Sequence, residues 1–186
     1  MSIEELRIKA DSIIDKIKNN GIYPKENTFI DFKLELKLSK DVNDVTIFLR
    51  NFAKDILALA NKDGGILFLG FNENKETGEI TDIGLNENNI KVLKSIDLKE
   101  LSDQFIKMFD SQINIDLKFF NIATRKFYYI IIEKHRTVLV PKSDFKDYDI
   151  KKGDIIYRGI GKNVKANEKT SEFNSFIESK VNEKNR

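Results

Sequence analysis

Residues 57–71 read LALANKDGGILFLGF, and the fold is decided there. Upstream, VTIFLRNFAKDILALANK (residues 45–62) repeats apolar residues at spacings of three and four over most of its circumference, the pattern of a helix buried on nearly all sides. Asp44 stands where such a helix takes its cap. The pair Gly64–Gly65 permits a tight turn and a close backbone approach, and ILFLGF is then an unbroken apolar run of strand length, as expected of a strand covered on both faces. Helix, double glycine, buried strand is the reverse of a phosphate-binding loop, in which glycines lead from a strand into a helix N-terminus. The later RGIGKN (residues 158–163) also misses the P-loop spacing, since Ile156 stands where its first glycine belongs. ATP binding is not indicated.

Working outward, IEELRIKADSIIDKIKNNG places Ile3, Leu6, Ala10, Ile13, Ile14 and Ile17 on one helical stripe that Gly21 ends. FIDFKLELKL alternates Ile30, Phe32, Leu34 and Leu36 with charged residues, which predicts a half-buried strand with Asp31 and Lys33 on its outer face. NENKETGEITDIG reads as a hairpin with a short return strand. DLKELSDQFIKMFDSQI is a second amphipathic helix carrying Leu98, Leu101, Phe105, Ile106 and Phe109. Two strands follow about a turn near residues 124–126, then a strand in DIIYRGIG, and a final helix from about Glu168 with Phe173, Phe176, Ile177 and Val181. The fold class predicted is α+β, a single domain with a mixed β-sheet flanked by helices. Within it, residues 1–24 form an N-terminal helix and residues 25–186 the main domain with its C-terminal helix.

With 186 residues and 40% of them hydrophobic, one substantial core is expected. No apolar run approaches the roughly 18 residues of a membrane span, and the first 20 residues are too charged for a secretory core, so a cytoplasmic protein without membrane association is predicted. The absence of cysteine excludes disulfides, thiol nucleophiles and thiolate zinc sites. The one histidine, His135, cannot supply the acid and base of a metal-free ribonuclease, and no serine sits in a nucleophile elbow; His135 reads as a surface or strand-end residue. Carboxylates remain. They suit Mg²⁺ or Mn²⁺, which oxygens hold at about 2.0–2.1 Å in the case of Mg²⁺.

The candidates are Glu26 and Asp31 in KENTFIDFK (residues 25–33) and Asp63 at the glycine junction. Five residues of extended chain span roughly 16 Å and turn side chains to opposite faces. Glu26 and Asp31 therefore meet only if the chain bends between them, and Pro24, Asn27 and Thr28 are the residues able to bend it.

ENTFIDFK, LALANKDGGILFLGF and DIIYRGIG together resemble the Schlafen/AlbA-type domain, over about Glu26 to Ala166. In Schlafen ribonucleases three acids of these motifs form a divalent-metal site that cleaves structured RNA such as tRNA. The resemblance implies that Glu26, Asp31 and Asp63 hold Mg²⁺ or Mn²⁺, with Lys33 beside them as the fourth member of the catalytic set. Two departures stand against a direct transfer. Asp31 occupies a place where the family usually has Glu, which shortens the reach by one methylene, and the chain carries one copy of a domain that the eukaryotic enzymes use twice, a role a homodimer would have to fill.

Charge is uneven: residues 118–169 carry 13 basic against 6 acidic residues, while the whole chain is only +2. Such asymmetry points to a polyanion-facing surface. Arg125, Lys126, Lys134, Arg136, Arg158, Lys162 and Lys165 are the predicted nucleic-acid contacts, Arg158 first among them. Tyr128, Tyr129 and Tyr157 are either stacking platforms or core, and strand aromatics favour core. Two functions stand side by side: a nucleic-acid-binding, metal-dependent endoribonuclease acting on RNA, and a non-catalytic DNA- or RNA-binding module or transcriptional regulator.

Overall fold

The computed structural model describes residues 1–168 and 170–184. In chain order its elements are α1 (Ile3–Asn20), β1 (Ile30–Lys33), α2 (Asp44–Asn61), β2 (Gly65–Leu69), β3 (Phe71–Glu73), β4 (Ile80–Asp82), α3 (Glu87–Ser95), α4 (Leu98–Phe109), β5 (Ile115–Ile122), β6 (Arg125–Ile132), a 3₁₀ turn (Lys146–Tyr148), β7 (Ile156–Arg158), β8 (Asn163–Lys165) and α5 (Thr170–Lys184). The α+β class is as predicted.

The central sheet runs β1-β2-β6-β5. β1 and β2 are parallel, with Ile30 opposite Ile66 and Asp31 opposite Leu67, whereas β2–β6 and β6–β5 are antiparallel. A parallel neighbour requires a crossover, and α2 supplies it. Alternate residues of β2 enter two different cores. Leu67 and Leu69 pack with Phe48, Phe52, Ile56 and Ile130 on the α2 side, while Ile66 and Phe68 pack with Leu6, Ala10, Ile14 and Phe127 on the α1 side. Each leucine, isoleucine or phenylalanine among them contributes about 1.5–3 kcal/mol on burial. This two-sided cover explains the unbroken apolar run.

Glycine is required where β2 begins. Gly64 has φ +75°, and a methyl group on it would lie 2.7 Å from the Ile132 carbonyl oxygen. A methyl on Gly65 would lie 2.7 Å from the Phe29 carbonyl oxygen. Backbone therefore passes backbone on both sides of the turn, as the sequence indicated.

Five details differ from the sequence reading. β1 ends at Lys33, with Leu34 (40%) and Leu38 (42%) exposed. Beyond Lys33 the chain is held by side-chain amides: Asn89 takes both backbone groups of Leu36, and Asn51 takes those of Lys37. Asp31 is not on an outer face but buried (3% exposed), because α2 and the β7–β8 hairpin cover that side. The cap of α2 is Asn43, whose Oδ1 accepts the Thr46 N–H at 2.8 Å, and Asp44 takes the first helical position. Leu98 and Ile106 lie on the exposed side of α4, and α3 and β8 were not foreseen. Tyr128, Tyr129 and Tyr157 are core residues.

β7 and β8 form a separate hairpin against α2 and α5, with Tyr157 stacked on Phe176 at 4.6 Å between ring centroids. Asn61, fully buried at the end of α2, ties this hairpin down. Its Nδ2 donates to the carbonyls of Leu139 (3.1 Å) and Ile156 (2.8 Å), and its Oδ1 accepts the Leu139 N–H at 2.7 Å. Asn61→Ala would leave three buried backbone groups unpaired. A loss of about 3 kcal/mol is expected, read as a lowered urea midpoint at unchanged slope.

Candidate functional site

Asn27 makes the bend that KENTFIDFK needs. Its Oδ1 accepts the N–H groups of Phe29 (2.8 Å) and Ile30 (2.9 Å), and its own N–H donates to the Ile30 carbonyl at 3.1 Å. The chain thus turns back on itself before β1. Glu26 Oε1 reaches the Phe32 N–H at 3.1 Å, which also donates to Asp31 Oδ1 at 3.0 Å. The two carboxyl groups are hydrogen-bonded to each other.

Two carboxyls in hydrogen-bond contact share one proton. Burial, the hydrogen bond to Asp31 and the charges of Asp31 and Glu73 push Glu26 up to about 8, against the pull of the Phe32 N–H. For Asp31 burial acts upward, but the Glu26 hydrogen bond, Lys33 and Arg158 outweigh it and hold the carboxylate below its usual range. At neutral pH Glu26 therefore carries the proton and Asp31 the charge.

That charge is met by two cations. Lys33 Nζ lies 3.0 Å from Asp31 Oδ2 and 3.5 Å from Asp55 Oδ2, while Arg158 Nη1 lies 3.4 Å from Asp31 Oδ2. Burial pulls the Lys33 ammonium down, yet Asp55 and Asp31 raise it above its ordinary value. Asn163 closes the ring by accepting from Arg158 Nη1 (3.2 Å) and donating to Asp55 Oδ1 (2.6 Å). One network thereby joins β1, α2, β7 and β8. Arg158 is 3% exposed, and its Nε and Nη2 have no hydrogen-bond partner among the described residues.

The network floors a cleft of about 410 Å³, with Glu73, Lys75 and Lys162 also in its walls. A second cleft of about 440 Å³ lies across the hairpin and is bordered by Lys62, Ile160 and Phe176, with Arg158 and Lys162 common to both.

Asp63 does not join this group. Asp31 is in register with Leu67, so Asp63 precedes that point by four residues, on the order of 10 Å along the strand. Its side chain is half exposed and pairs with Lys134 at 3.4 Å. Glu26, Asp31 and Asp63 therefore do not form one donor set, which corrects the three-acid expectation. Among the described residues no group of three or more His, Cys, Asp or Glu is placed to hold a metal ion. The donors that do meet are Glu26 and Asp31, with Lys33 and Arg158 already standing against Asp31.

The predicted basic contacts divide. Arg125 is paired with Asp82, Lys126 with Glu87, Lys134 with Asp63 and Glu183, and Lys165 with Asp154. Arg136 is exposed beside a different cavity, which it lines with Ser111 and His135. Only Arg158 and Lys162 of that group reach the cleft, where Lys33 joins them. His135 lies three residues beyond the end of β6, with Nε2 2.9 Å from Ser111 Oγ and Nδ1 2.9 Å from the Thr137 carbonyl oxygen.

Asp55, Glu73, Lys75 and Asn163 escaped the sequence reading. Asp55 had a visible signal, a carboxylate inside a helix otherwise apolar on nearly every side. Glu73, Lys75 and Asn163 had none, since only the folding of two hairpins toward β1 brings them in.

The family profile described as Schlafen, AlbA_2 matches residues 26–167, and the chain belongs to that family. Among solved structures, the crystal structure of the DIP2311 protein from Corynebacterium diphtheriae is similar at a TM-score of 0.52 and 19% identity, over 87% of this chain and 30% of that one. The present chain thus spans about a third of the length of that protein, and the likeness concerns the fold. The solution structure of the N-terminal domain of a RecG-related protein from Nitrosomonas europaea aligns at a TM-score of 0.40 and 22% identity, over 82% of this chain and 89% of that domain. No curated protein matches the chain. No helix among the described residues is long and apolar enough to cross a membrane.

Because Glu26 holds its proton more tightly folded than unfolded, it adds stability that is fully present below its ordinary value near 4.5 and is lost as pH rises through about 8. Glu26→Gln keeps the shape and removes the ionisation. Its melting temperature should exceed that of the wild type at pH 9 by about 3 °C or more and converge with it near pH 5, as scanning calorimetry would read.

Proposed function

We propose that this chain is a nucleic-acid-binding domain that grips the phosphate backbone at the hairpin cleft, through Arg158 within it and Lys33, Lys75 and Lys162 around it. One observation carries the reading: a buried guanidinium with two nitrogens unpaired at the wall between two clefts. Buried donors left without acceptors cost about 1–3 kcal/mol each, and these two nitrogens are closed to solvent, so a phosphate satisfies them once the hairpin shifts to admit it. The proton on Glu26 supports the same reading, since it removes one of the four negative charges that Glu26, Asp31, Asp55 and Glu73 would bring to the cleft. The basic excess of residues 118–169 and membership of the Schlafen, AlbA_2 family point the same way. RNA is the favoured partner and DNA the alternative.

The test is anisotropy of labelled tRNA and duplex DNA from 50 to 300 mM salt. Lys75→Ala and Lys162→Ala, both at exposed positions, should each weaken binding several-fold and reduce the salt slope by about 1 without lowering the melting temperature. Absence of salt-sensitive binding would overturn the proposal. Cleavage that needs Mn²⁺ and disappears in Asp31→Asn would replace it with the endoribonuclease reading.

A further inference from the structure

The turn joining β7 to β8 is chemically odd. It runs Gly159-Ile160-Gly161-Lys162 and is closed by the Gly159 N–H donating to the Lys162 carbonyl at 2.8 Å, with Gly161 at φ +66°. Solvated turns of this kind favour Asn, Asp, Ser and Gly. Here the crest holds an isoleucine that is 81% exposed, well beyond the next most exposed large apolar side chain, Ile8 at 62%. Scattered surface apolar residues need no explanation, but this one lines the second of the clefts described above, and its hairpin neighbours Arg158 and Lys162 line both. The hairpin below is anchored rather than loose, through Asn61 to Ile156 and through Asn163 to Asp55. An apolar point is thus presented on an anchored hairpin beside Arg158 and Lys162.

We propose that this hairpin tip is a wedge: Ile160 enters between neighbouring bases of a bound nucleic acid while Arg158 and Lys162 hold the phosphates beside it. The inference rests on the nucleic-acid reading above and adds the mode of engagement. Apolar side chains inserted at base steps pay for unstacking with the surface they bury, and Arg158 and Lys162, which flank Ile160 along the chain, fix where insertion occurs. A strand whose bases part readily is the preferred ligand, so single strands and loops should bind better than uninterrupted duplex.

The chain has no tryptophan, so Ile160→Trp introduces one fluorophore at the crest. Its emission should fall by about half or more on saturation with a single-stranded oligonucleotide, through stacking on bases. Wild-type protein should raise the fluorescence of 2-aminopurine placed in the same oligonucleotide, and Ile160→Ser should abolish that rise. Ile160→Ser should also weaken binding about tenfold, the cost of losing one buried isoleucine contact, while leaving the salt slope and the melting temperature as they were. Unchanged tryptophan emission with Ile160→Ser at full affinity would overturn the wedge and leave the nucleic-acid reading standing. Absence of oligonucleotide binding by the wild type would overturn both.

Discussion

Asp31 keeps a negative charge in a place that water hardly reaches, and much of the local architecture follows from making that tolerable. Removing one partner from such a buried pair typically costs about 3–5 kcal/mol. Here the partners come from four directions: Glu26 across the Asn27 bend, Lys33 two residues along the strand, Arg158 from the β7–β8 hairpin, and Asp55 and Asn163 completing the ring. The hairpin is therefore fastened to the sheet at both its apolar base and its polar middle. Its tip stays exposed, and Arg158 lies buried at the wall of both clefts.

The same arrangement sets the balance of charge. Four acids and four bases border the main cleft, and the shared proton on Glu26 moves that balance toward the positive side at neutral pH. Nucleic-acid affinity in this account is coupled to a titration inside the protein: raising pH through the range where Glu26 ionises returns a negative charge to the cleft and opposes a phosphate. In the proposed reading the exposed lysines at the rim supply attraction that salt screens.

Much of the fold was legible because its signals are periodic. The three-and-four spacing of α1 and α2 and the unbroken run of β2 report burial directly, and Gly64–Gly65 marked a turn that backbone contacts on both sides confirm. β1 misled because alternation in KLELKL continues past Lys33, where Asn51 and Asn89 rather than a neighbouring strand take over the backbone groups. The site was half legible. The meeting of Glu26 and Asp31 followed from a bend that Asn27 could be expected to make. Asp63 looked equivalent, because nothing in the sequence states the register that sets Asp31 opposite Leu67 and leaves Asp63 at the far end. Residues contributed by other hairpins, Glu73 and Asn163 above all, become neighbours only through tertiary closure.

The central claim is that Glu26 and Asp31 share one proton within a cationic setting. Carbon-13 NMR of the side-chain carboxyls across pH 3–10 tests it most directly. The account predicts that the Glu26 carboxyl titrates near 8 while that of Asp31 titrates below the ordinary aspartate value. Two independent titrations near pH 4 would show that the carboxyls do not meet, and the network built on them would fail.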